Sequence, residues 1–286
     1  IQQNDNFLLL LKQKAPVGIN IFSHYNAITK TVPDARGLGH IVSITEPTVL
    51  AYVRKESGNG EHNAMNQVES LRGYSDTIVS WPIPLASTYT VCWATRYYNE
   101  MSKNNAILKA GNASMGHTSD SKRGSLMINS IEYSQGHLAN TPATNWLIAC
   151  HTNSRNDSSA FVIDQQDRGL SSVSSPTGGS TLRINTLSAQ DNSDFNVHSV
   201  YVWDIGLSNT EMKVVTAGIR KELGGIPDFS TTTVMKISDL LAYYLRFLLT
   251  LRPAQSINIF ADLRDSSVPD RATGLFPAKL TGGGFS

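Results

Sequence analysis

The sequence predicts an all-β fold, an antiparallel two-sheet sandwich with one short helix near its C-terminal end. Three observations predict it: many short segments rich in β-branched and aromatic residues, polar or glycine-containing turns between them, and a single clear helical pattern late in the chain. Many short strands without alternating helices are typical of sandwiches and barrels. At 286 residues, the chain is long enough for one large β-sandwich.

Eight segments have the composition of strands. Each is rich in Val, Ile, Tyr, Trp or Thr and is bounded by Gly, Asn, Asp, Ser or Pro. They are DTIVSW, TYTVCWATRYY, NAILKAG, GSLMINSIEY, NWLIACHT, SAFVIDQ, TLRINTL and FNVHSVYVWD. Near the N-terminus, FLLLLK also resembles a strand. The apolar stretch from Leu240 to Leu251 fits a helix or a buried strand, and its periodicity does not separate the two.

The helical pattern is SNTEMKVVTAGIRKELGG. Ser208 is a favourable N-cap, and Glu211 three residues later completes a capping box. The double glycine at Gly224 is expected to end the helix. One apolar stripe follows helical spacing, and its members are Met212, Val215, Ile219 and Leu223.

Composition narrows the classes of partner. The formal net charge is +1 and charged residues make up 16% of the chain, without a block of Lys and Arg, which argues against a nucleic-acid or acidic-membrane partner. No apolar run is long enough for a transmembrane helix, so membrane insertion is not expected. The chain opens on Ile1 without a recognisable signal peptide, and we therefore expect a processed or excised piece of a longer protein.

The end of the chain repeats its beginning. Four blocks recur in the same order, INIF is identical in both copies, and Val-Pro-Asp is shared. The matched pairs are Phe7 with Phe247 (247 − 7 = 240), Ile19 with Ile257 (257 − 19 = 238) and Val32 with Val268 (268 − 32 = 236). This spacing predicts a full repeat followed by the opening of a second. Two unrelated strand–turn segments that share β-favouring residues are the alternative.

The predicted domains are therefore 1–245, one sandwich repeat, and 246–286, the start of a second repeat or a docking arm. About forty residues cannot bury enough surface to fold alone, so we expect the second segment to dock on a neighbouring repeat or on an exposed sheet edge. The apolar residues expected to form this assembly segment are Phe247, Ile257, Ile259, Phe260, Val268, Phe276 and Leu280.

The region from Ile19 to Gly225 resembles the laminin G-like, concanavalin A-like group of the lectin–glucanase superfamily. The resemblance rests on the order YSDTIVSWP, YTVCWATRYY, AILKAGNASMGH with a following KRG, and NWLIACHTN, and most specifically on SDFNVHSVYVWDIGLSNTEMKVV. In the last segment Trp203-Asp204, Leu207-Ser208 and Glu211 take the places of the group's aromatic–Asp pair, Leu-Ser turn and helix glutamate. The resemblance implies a jelly roll of about a dozen strands, used for glycan binding, adhesion or extracellular assembly.

Catalysis is not predicted. Sandwich glucanases of this superfamily carry a Glu-x-Asp-x-x-Glu strand, which places three carboxylates on one face, and the sequence lacks that triplet. The nearest pairs, Asp191 with Asp194 and Asp164 with Asp167, fall on predicted turns. The sequence also lacks a Gly-x-Ser-x-Gly elbow, and its seven histidines lack the paired spacing of a metal site. We therefore predict a protein that is not an enzyme and needs no cofactor.

Several residues have both a functional and a structural interpretation. The cluster Asp191, Asn192 and Asp194 is a candidate Ca²⁺ site, although a solvated Asx turn explains it more simply. Arg96 is a candidate ligand-binding residue or an ordinary strand-end arginine. The tryptophans can stack on sugars, yet core packing is the favoured role for most of them; they are Trp81, Trp93, Trp146 and Trp203.

The two cysteines, Cys92 and Cys150, lie in apolar predicted strands that can neighbour each other across a sandwich. They predict either one disulfide, if the chain is secreted, or a pair of buried free thiols. Asn112 and Asn156 stand in Asn-x-Ser sequons and are candidate glycosylation sites. Together with the low charge, these features favour an extracellular or cell-surface location.

The sequence leads to two functional hypotheses. The first is a structural or adhesive repeat unit of an extracellular filament or surface appendage, whose partners are copies of itself or adjacent repeats joined head-to-tail through the terminal segments. The alternative is a lectin-like module of a cell-surface protein, with glycans as its ligands.

Overall fold

The computed structural model confirms the predicted fold class. It describes residues 2–46, 48–56, 61–99, 105–118, 123–129, 131–133, 142, 144–154, 160–167, 178–186 and 192–224, together with 267–268 and 278–279. The chain divides into two compact units, Gln2–Pro227 and Asp228–Ser286, the latter including Ile1. The predicted boundary between 1–245 and 246–286 remains a prediction.

The first sheet of the larger unit has eight strands. They are β1 (Gly18–Ile21), β4 (Tyr52–Glu56), β5 (Val68–Gly73), β7 (Thr90–Tyr97), β12 (Leu147–Thr152), β13 (Phe161–Ile163), β14 (Gln166–Asp167) and β16 (Phe195–Trp203). Their order is β14-β13-β12-β7-β16-β5-β4, all antiparallel. Beyond the stretch paired with β5, β16 pairs with β1.

The second sheet also has eight strands. They are β2 (Thr31–Val32), β3 (Val42–Thr45), β6 (Ile78–Ser80), β8 (Leu108–Ala110), β9 (Ala113–His117), β10 (Arg123–Ile128), β11 (Ile131–Tyr133) and β15 (Leu182–Ile184). Their order is β11-β10-β9-β8-β15-β6-β3-β2. Each of the eight segments predicted from composition contributes at least one strand, and GSLMINSIEY forms the hairpin of β10 and β11. In the smaller unit, β17 (Ser267–Val268) pairs with β18 (Ala278–Lys279).

The central strands of the first sheet are covered on both faces. All residues of β7 and β12 are buried. Along β7, Val91, Trp93 and Tyr97 belong to the core between the sheets, whereas Cys92 and Ala94 belong to a second core on the outer face. Because successive strand residues point to opposite faces, a strand without polar alternation must be covered on both sides.

Among the residues that the structure describes, helices α1 (Gln2–Gln13) and α2 (Asn209–Glu222) contribute to this outer core. For α2 the sequence prediction is confirmed: Ser208 Oγ accepts from Glu211 N, and Ser208 N donates to Glu211 Oε2 at 2.8 Å. The predicted stripe from Met212 to Leu223 is fully buried. Gly224 follows the helix with φ of 67°, a conformation that favours glycine.

The prediction of a strand for FLLLLK is wrong, because this segment lies in α1. Phe7 and Leu10, three residues apart, are buried, whereas Leu8 and Leu9 are about half exposed. This spacing is helical, and it places the Phe7 ring against α2 and 6.2 Å from the Tyr201 ring. A run of leucines fits both the helical period of about 3.6 residues and the strand period of 2, so the available packing surface decides its structure. The stretch from Leu240 to Leu251 lies outside the described residues.

Cys92 and Cys150 are joined by a disulfide with an S–S distance of 2.03 Å. The predicted placement across the sandwich is wrong. The two residues lie directly opposite each other on neighbouring strands of the same sheet, β7 and β12. Both side chains belong to the outer core beneath the helices.

Among the described residues, neither helix has the length and apolar character needed to cross a membrane.

Candidate functional site

A row of polar side chains crosses one end of the first sheet. Tyr52 of β4 lies opposite Arg72 of β5, which lies opposite Asn196 of β16, which in turn lies opposite Arg96 of β7. Directly opposite residues project from the same face of a sheet, so all four side chains share one face. The row changes from exposed at the β4 edge, where Tyr52 is 40% exposed, to fully buried at Asn196 and Arg96.

The exposed end of the row is the arginine–tyrosine patch, which consists of Tyr52, Arg54, Arg72, Tyr74 and Tyr98. The Arg72 guanidinium carbon lies 3.2 Å from the centroid of the Tyr98 ring, 4.7 Å from that of Tyr74 and 5.7 Å from that of Tyr52. Arg54 adds a second guanidinium 5.9 Å from the Tyr98 centroid. Cations over tyrosine faces within about 6 Å attract the ring electrostatically.

Hydrogen bonds fix this arrangement. Arg72 Nη1 donates to the Tyr52 hydroxyl at 2.9 Å. Tyr74 N donates to Thr77 Oγ1 at 3.0 Å, and Ser75 N donates to Asp194 Oδ1 at 2.9 Å. Burial raises the pKa of Tyr74 above its usual value, so its hydroxyl stays protonated at neutral pH. The patch therefore presents the neutral Tyr74 hydroxyl beside two permanent positive charges.

The buried end of the row forms the floor beside the patch. Arg96 lies 5.4 Å from the Trp146 ring and donates through Nη1 to the carbonyl oxygen of Tyr97 at 3.1 Å. Asn196 Nδ2 donates to Ser70 Oγ at 3.0 Å. Arg96 therefore lies at the end of β7, as the strand-end interpretation from sequence expects, and its burial excludes the role of an exposed ligand contact. It is a buried residue that holds the backbone at the end of β7.

The patch has the groups that recognise polyhydroxy ligands. Partly exposed tyrosines offer an apolar ring face together with a hydroxyl, and guanidinium groups donate paired hydrogen bonds to oxygen acceptors. Since Arg72 is already held between the rings, little side-chain freedom is left to lose on binding. The arrangement is suited to hold a sugar ring or an acidic ligand.

A pocket with a volume of about 250 Å³ lies apart from the patch. Its walls are mainly apolar, and the Trp81 indole in them donates from Nε1 to Asn20 Oδ1 at 2.9 Å. This volume is just below the usual range of ligand pockets. The lining residues include Val17, His40, Trp81, Ile83, Trp203 and Asp204.

The two described residues of the candidate Ca²⁺ cluster, Asn192 and Asp194, form hydrogen bonds with other groups of the protein. Asn192 Oδ1 accepts from Thr186 N at 2.9 Å, and its Nδ2 donates to the Ser75 carbonyl at 2.9 Å. Asp194 accepts from Ser75 N, and Asp191 lies outside the described residues. In the part of the chain that the structure describes, no three His, Cys, Asp or Glu side chains are grouped to hold a metal ion.

The prediction that most tryptophans pack in the core is confirmed, because all four side chains are at most 2% exposed.

Asp164 occupies a hairpin turn between β13 and β14, with φ of 45°, and accepts a hydrogen bond from Arg220 Nε at 3.1 Å. His117, which follows Gly116 in β9, is fully buried with Nδ1 3.3 Å from Thr95 Oγ1. Burial and the nearby Arg123 lower the pKa of His117 well below its usual value.

The remaining predicted sites are only partly described. Asn112 is exposed in the turn between β8 and β9, whereas Asn156 lies outside the described residues. Of the assembly segment, only the backbone of Val268 is described, in β17. The other six members, Phe247, Ile257, Ile259, Phe260, Phe276 and Leu280, lie outside the described residues, and the role of the segment stays a prediction.

Sequence reasoning did not identify the arginine–tyrosine patch. A local signal exists, because Tyr52-x-Arg54 and Arg72-x-Tyr74 each place an arginine and a tyrosine on the same face of a strand. The position of Tyr98 could not be found in this way, since its approach to Arg72 depends on the order of the strands in the sheet.

No protein-family model matches the sequence, and a search of the curated proteins finds no match by sequence. Among solved structures, domain 4 of AbnA, a GH43 extracellular arabinanase from Geobacillus stearothermophilus in complex with arabinotriose, superposes with a TM-score of 0.52 and 10% identity, covering 71% of this chain and 98% of that one. Trypanosoma rangeli sialidase gives a TM-score of 0.45 at 13% identity, covering 73% of this chain and 34% of that one.

The binding domain of Paraclostridial Mosquitocidal Protein 1 gives a TM-score of 0.47 at 10% identity, covering 72% of this chain and 52% of that one. The chain thus spans about a third of the sialidase and half of the toxin domain. At these identities the likeness to the arabinanase domain identifies a shared β-sandwich fold. The laminin G-like assignment has no matching family model.

Proposed function

We propose that the chain is a non-enzymatic, lectin-like module that binds glycans at the arginine–tyrosine patch. The observation that carries this proposal is the grouping of three partly exposed tyrosine rings around the Arg72 guanidinium. The arabinanase domain with the same fold was solved with arabinotriose, which supports a sugar as the class of ligand to test first.

The chemistry of the patch favours a sugar that carries a negative charge. Tyr52, which is 40% exposed, offers a ring face for the apolar C–H face of a pyranose. Arg54 and Arg72 both lie on this side of the sheet, and a guanidinium binds a carboxylate through paired, charge-assisted hydrogen bonds. An acidic sugar satisfies both kinds of group, whereas a neutral sugar uses only the rings and hydroxyls.

The proposal includes binding without hydrolysis. Hydrolysis of glycosides normally needs two carboxylates about 5 to 10 Å apart on either side of the scissile bond. Asp194 supplies a carboxylate near Tyr74, but its Oδ1 is held by Ser75 N, and the sequence lacks the glucanase carboxylate triplet. We therefore propose that the chain retains a bound glycan without cleaving it.

A glycan array followed by calorimetry tests the proposal. The wild-type chain is screened against acidic and neutral glycans, and the best ligand is titrated into Arg72→Ala and Tyr98→Ala. We expect at least a tenfold loss of affinity for each variant, about 1.4 kcal/mol. Arg183→Ala is the matched control, because Arg183 is an exposed arginine on β15 of the other sheet, and it should bind like wild type.

Two outcomes would overturn the proposal. One is the absence of any glycan ligand on the array. The other is a ligand whose affinity is unchanged in both patch variants, provided that their thermal unfolding shows folded protein. Product analysis after prolonged incubation of the ligand with wild type tests the non-enzymatic part, since released reducing sugar would contradict it.

We infer, as a second candidate function, a repeat unit of an extracellular filament or surface appendage, joined head-to-tail through its terminal segments. The repeated sequence blocks favour it, and so does the antiparallel pairing of β17 with β18, since Val268 of β17 aligns with Val32 of β2. The disulfide and the exposed Asn112 sequon support an extracellular location.

Light scattering of the purified chain tests this second function. Head-to-tail contacts form open chains unless the rotation closes a ring, so we expect a mass that grows with protein concentration. A monodisperse monomer of 31.2 kDa at all concentrations, unchanged after removal of 246–286, would contradict it.

A further inference from the structure

We propose that the pocket lined by His40 and Asp204 is a second binding site, which takes a small organic cation made of one apolar ring and a short ammonium arm. No residue of the arginine–tyrosine patch lines this pocket, so the inference goes beyond glycan binding and does not depend on it. It rests on the walls of the pocket, on the unpartnered imidazole of His40, on the carboxylate of Asp204 and on nearby exposed apolar side chains.

Three parts of the sandwich form the walls of the pocket. Strands β3 and β6 pair with each other, and the chain before β3 supplies His40, whereas the chain after β6 supplies Trp81. At the end of β16, the Val202 carbonyl oxygen accepts from Val17 N at 2.8 Å, and Asp204 follows that strand. Because backbone hydrogen bonds hold these segments, the pocket exists before a ligand binds, and little has to be ordered on binding.

His40 is held in place while its ring stays available to a ligand. Its carbonyl oxygen accepts from Asn20 Nδ2 at 2.8 Å, and Asn20 Oδ1 accepts from Trp81 Nε1 at 2.9 Å. The ring lies against Gly18, where an added Cβ would be 2.8 Å from its Cγ. His40 is only 8% exposed, yet within the described part of the chain its ring nitrogens have no hydrogen-bond partner.

A buried polar group without a partner costs free energy, and a ligand that supplies the missing hydrogen bond recovers it. The imidazole offers one donor and one acceptor in its neutral form. Since His40 lines the pocket, the polar end of a ligand can bind there.

The charge of the pocket favours a cation. Among the described residues that line it, none is Lys or Arg, and Asp204 supplies a carboxylate. Asp204 is exposed, and no hydrogen bond or ion pair to its side chain forms within the described ranges. An ammonium group can therefore form a charge-assisted hydrogen bond with this carboxylate, whereas an anion would be repelled by it.

The rest of the pocket fits an apolar ring. Its walls are mainly hydrocarbon, and several exposed aliphatic side chains belong to the same segments of the chain. Leu38 and Ile41 precede β3, Ile83 lines the pocket, and Ile205 comes directly after the pocket residues of β16 and its turn; all four are 38% to 56% exposed. Removing such surface from water stabilises a complex. The volume of about 250 Å³ is below that of pockets for drug-sized ligands, so we expect one ring rather than several.

Amide NMR shifts of the full-length, isotope-labelled chain test the site with three probes of similar shape at neutral pH. The probes are 2-phenylethylammonium, 2-phenylethanol and phenylacetate, which are cationic, neutral and anionic. We expect the cation to shift the amides of Val17, His40 and Ile83 and to bind at least threefold more tightly than the alcohol. Phenylacetate should bind most weakly.

Two variants with matched controls separate charge from apolar contact. Asp204→Asn removes the carboxylate and should make the affinities for the cation and the alcohol equal, whereas Asp167→Asn, at an exposed position of β14, should preserve their difference. Ile83→Ser removes part of the wall and should weaken the binding of the cation and the alcohol at least threefold. Ile131→Ser, at an exposed isoleucine of β11, should leave both affinities unchanged.

Four results would overturn the proposal. They are the absence of amide shifts at the lining residues with the cation, an alcohol that binds as tightly as the cation, phenylacetate that binds as tightly as the cation, and an unchanged preference for the cation in folded Asp204→Asn. None of them bears on glycan binding, because the probes contain no sugar and the variants lie outside the arginine–tyrosine patch.

Discussion

The guanidinium carbon of Arg72 lies 3.2 Å from the centroid of the Tyr98 ring, although strand β16 lies between β5, which carries Arg72, and β7, which Tyr98 follows. Tyr98 reaches this position at the start of β16, where its backbone N donates to the Asp194 carbonyl at 3.3 Å. The contact therefore joins three strands, and the patch exists before any ligand binds.

The contribution of the Tyr98 ring can be separated from that of its hydroxyl. Tyr98→Phe keeps the ring face over which Arg72 lies and should keep glycan affinity within about twofold, whereas Tyr98→Ala loses both the ring and the cation–π contact, worth about 1 kcal/mol or more. Calorimetry with the best array ligand measures both. Equal losses in the two variants would show that the hydroxyl, not the ring, makes the contact.

Arginine at position 72 should not be replaceable by lysine. Arg72→Lys keeps the charge but loses the planar group that stacks on the tyrosines and donates to Tyr52. We expect at least a fivefold loss of affinity for an acidic glycan, with little change in thermal stability. Binding by Arg72→Lys that equals wild type would reduce the role of Arg72 to its charge alone.

The disulfide should contribute strongly to stability. Cys92 and Cys150 are 58 residues apart in the sequence, and closing a loop of that length stabilises a protein by about 4 kcal/mol in the chain-entropy description. The double variant Cys92→Ala and Cys150→Ala should lower the free energy of unfolding by a similar amount in urea denaturation. A reductant should destabilise wild type but leave the double variant unchanged; equal stability of the two proteins would contradict the prediction.

Gly218 of α2 should be an exception to the helix propensity scale. Alanine is normally favoured over glycine inside a helix by about 1 kcal/mol. At Gly218, however, an added Cβ would lie 2.3 Å from Cγ of Phe7, so α1 must shift. We expect Gly218→Ala to destabilise the chain by roughly 1 to 3 kcal/mol.

A double-mutant cycle identifies Phe7 as the cause. In a Phe7→Ala background, Gly218→Ala should become neutral or stabilising, which gives a coupling energy of about 1 kcal/mol or more. Thr210→Ala, at an exposed position of the same helix, is the control that reports propensity alone. Additive effects of Gly218→Ala and Phe7→Ala would mean that α1 does not pack against α2 in this way.

Stability should fall in mild acid because His151 is fully buried in its neutral form. Burial lowers the pKa of His151 to about 4, whereas an unfolded histidine has a pKa near 6.5. The stabilisation is therefore complete above pH 6.5 and is lost as pH falls towards 4. His151 accounts for roughly 3 kcal/mol across this window.

Denaturant unfolding at a series of pH values measures this dependence. His151→Leu should flatten the curve between pH 6.5 and 4, because neither ring nitrogen of His151 has a hydrogen-bond partner among the described residues. An unchanged slope in His151→Leu would contradict the assignment.

The sequence predicted the parts of the fold that depend on local pattern. Strand segments followed from β-branched and aromatic composition, and α2 followed from the Ser208–Glu211 capping box and its apolar stripe. The N-terminal helix was not predicted, because a run of leucines fits either period until a packing partner such as Tyr201 is known.

The candidate site could not be predicted from local sequence pattern, for a different reason. Arg72 and Tyr98 meet only because β16 places β5 and β7 on its two sides, and strand order is a non-local property of the chain. The same holds for the cysteines, whose strands were correctly predicted but whose pairing within one sheet depends on β12 lying beside β7.

The most direct test of glycan binding at the patch is a titration of isotope-labelled protein with the best array glycan, followed by amide NMR shifts. We predict that the shifts concentrate at Tyr52, Arg72 and Tyr98. Shifts confined to the pocket around His40, Trp81 and Asp204 would contradict the central claim and move the glycan-binding site to that pocket.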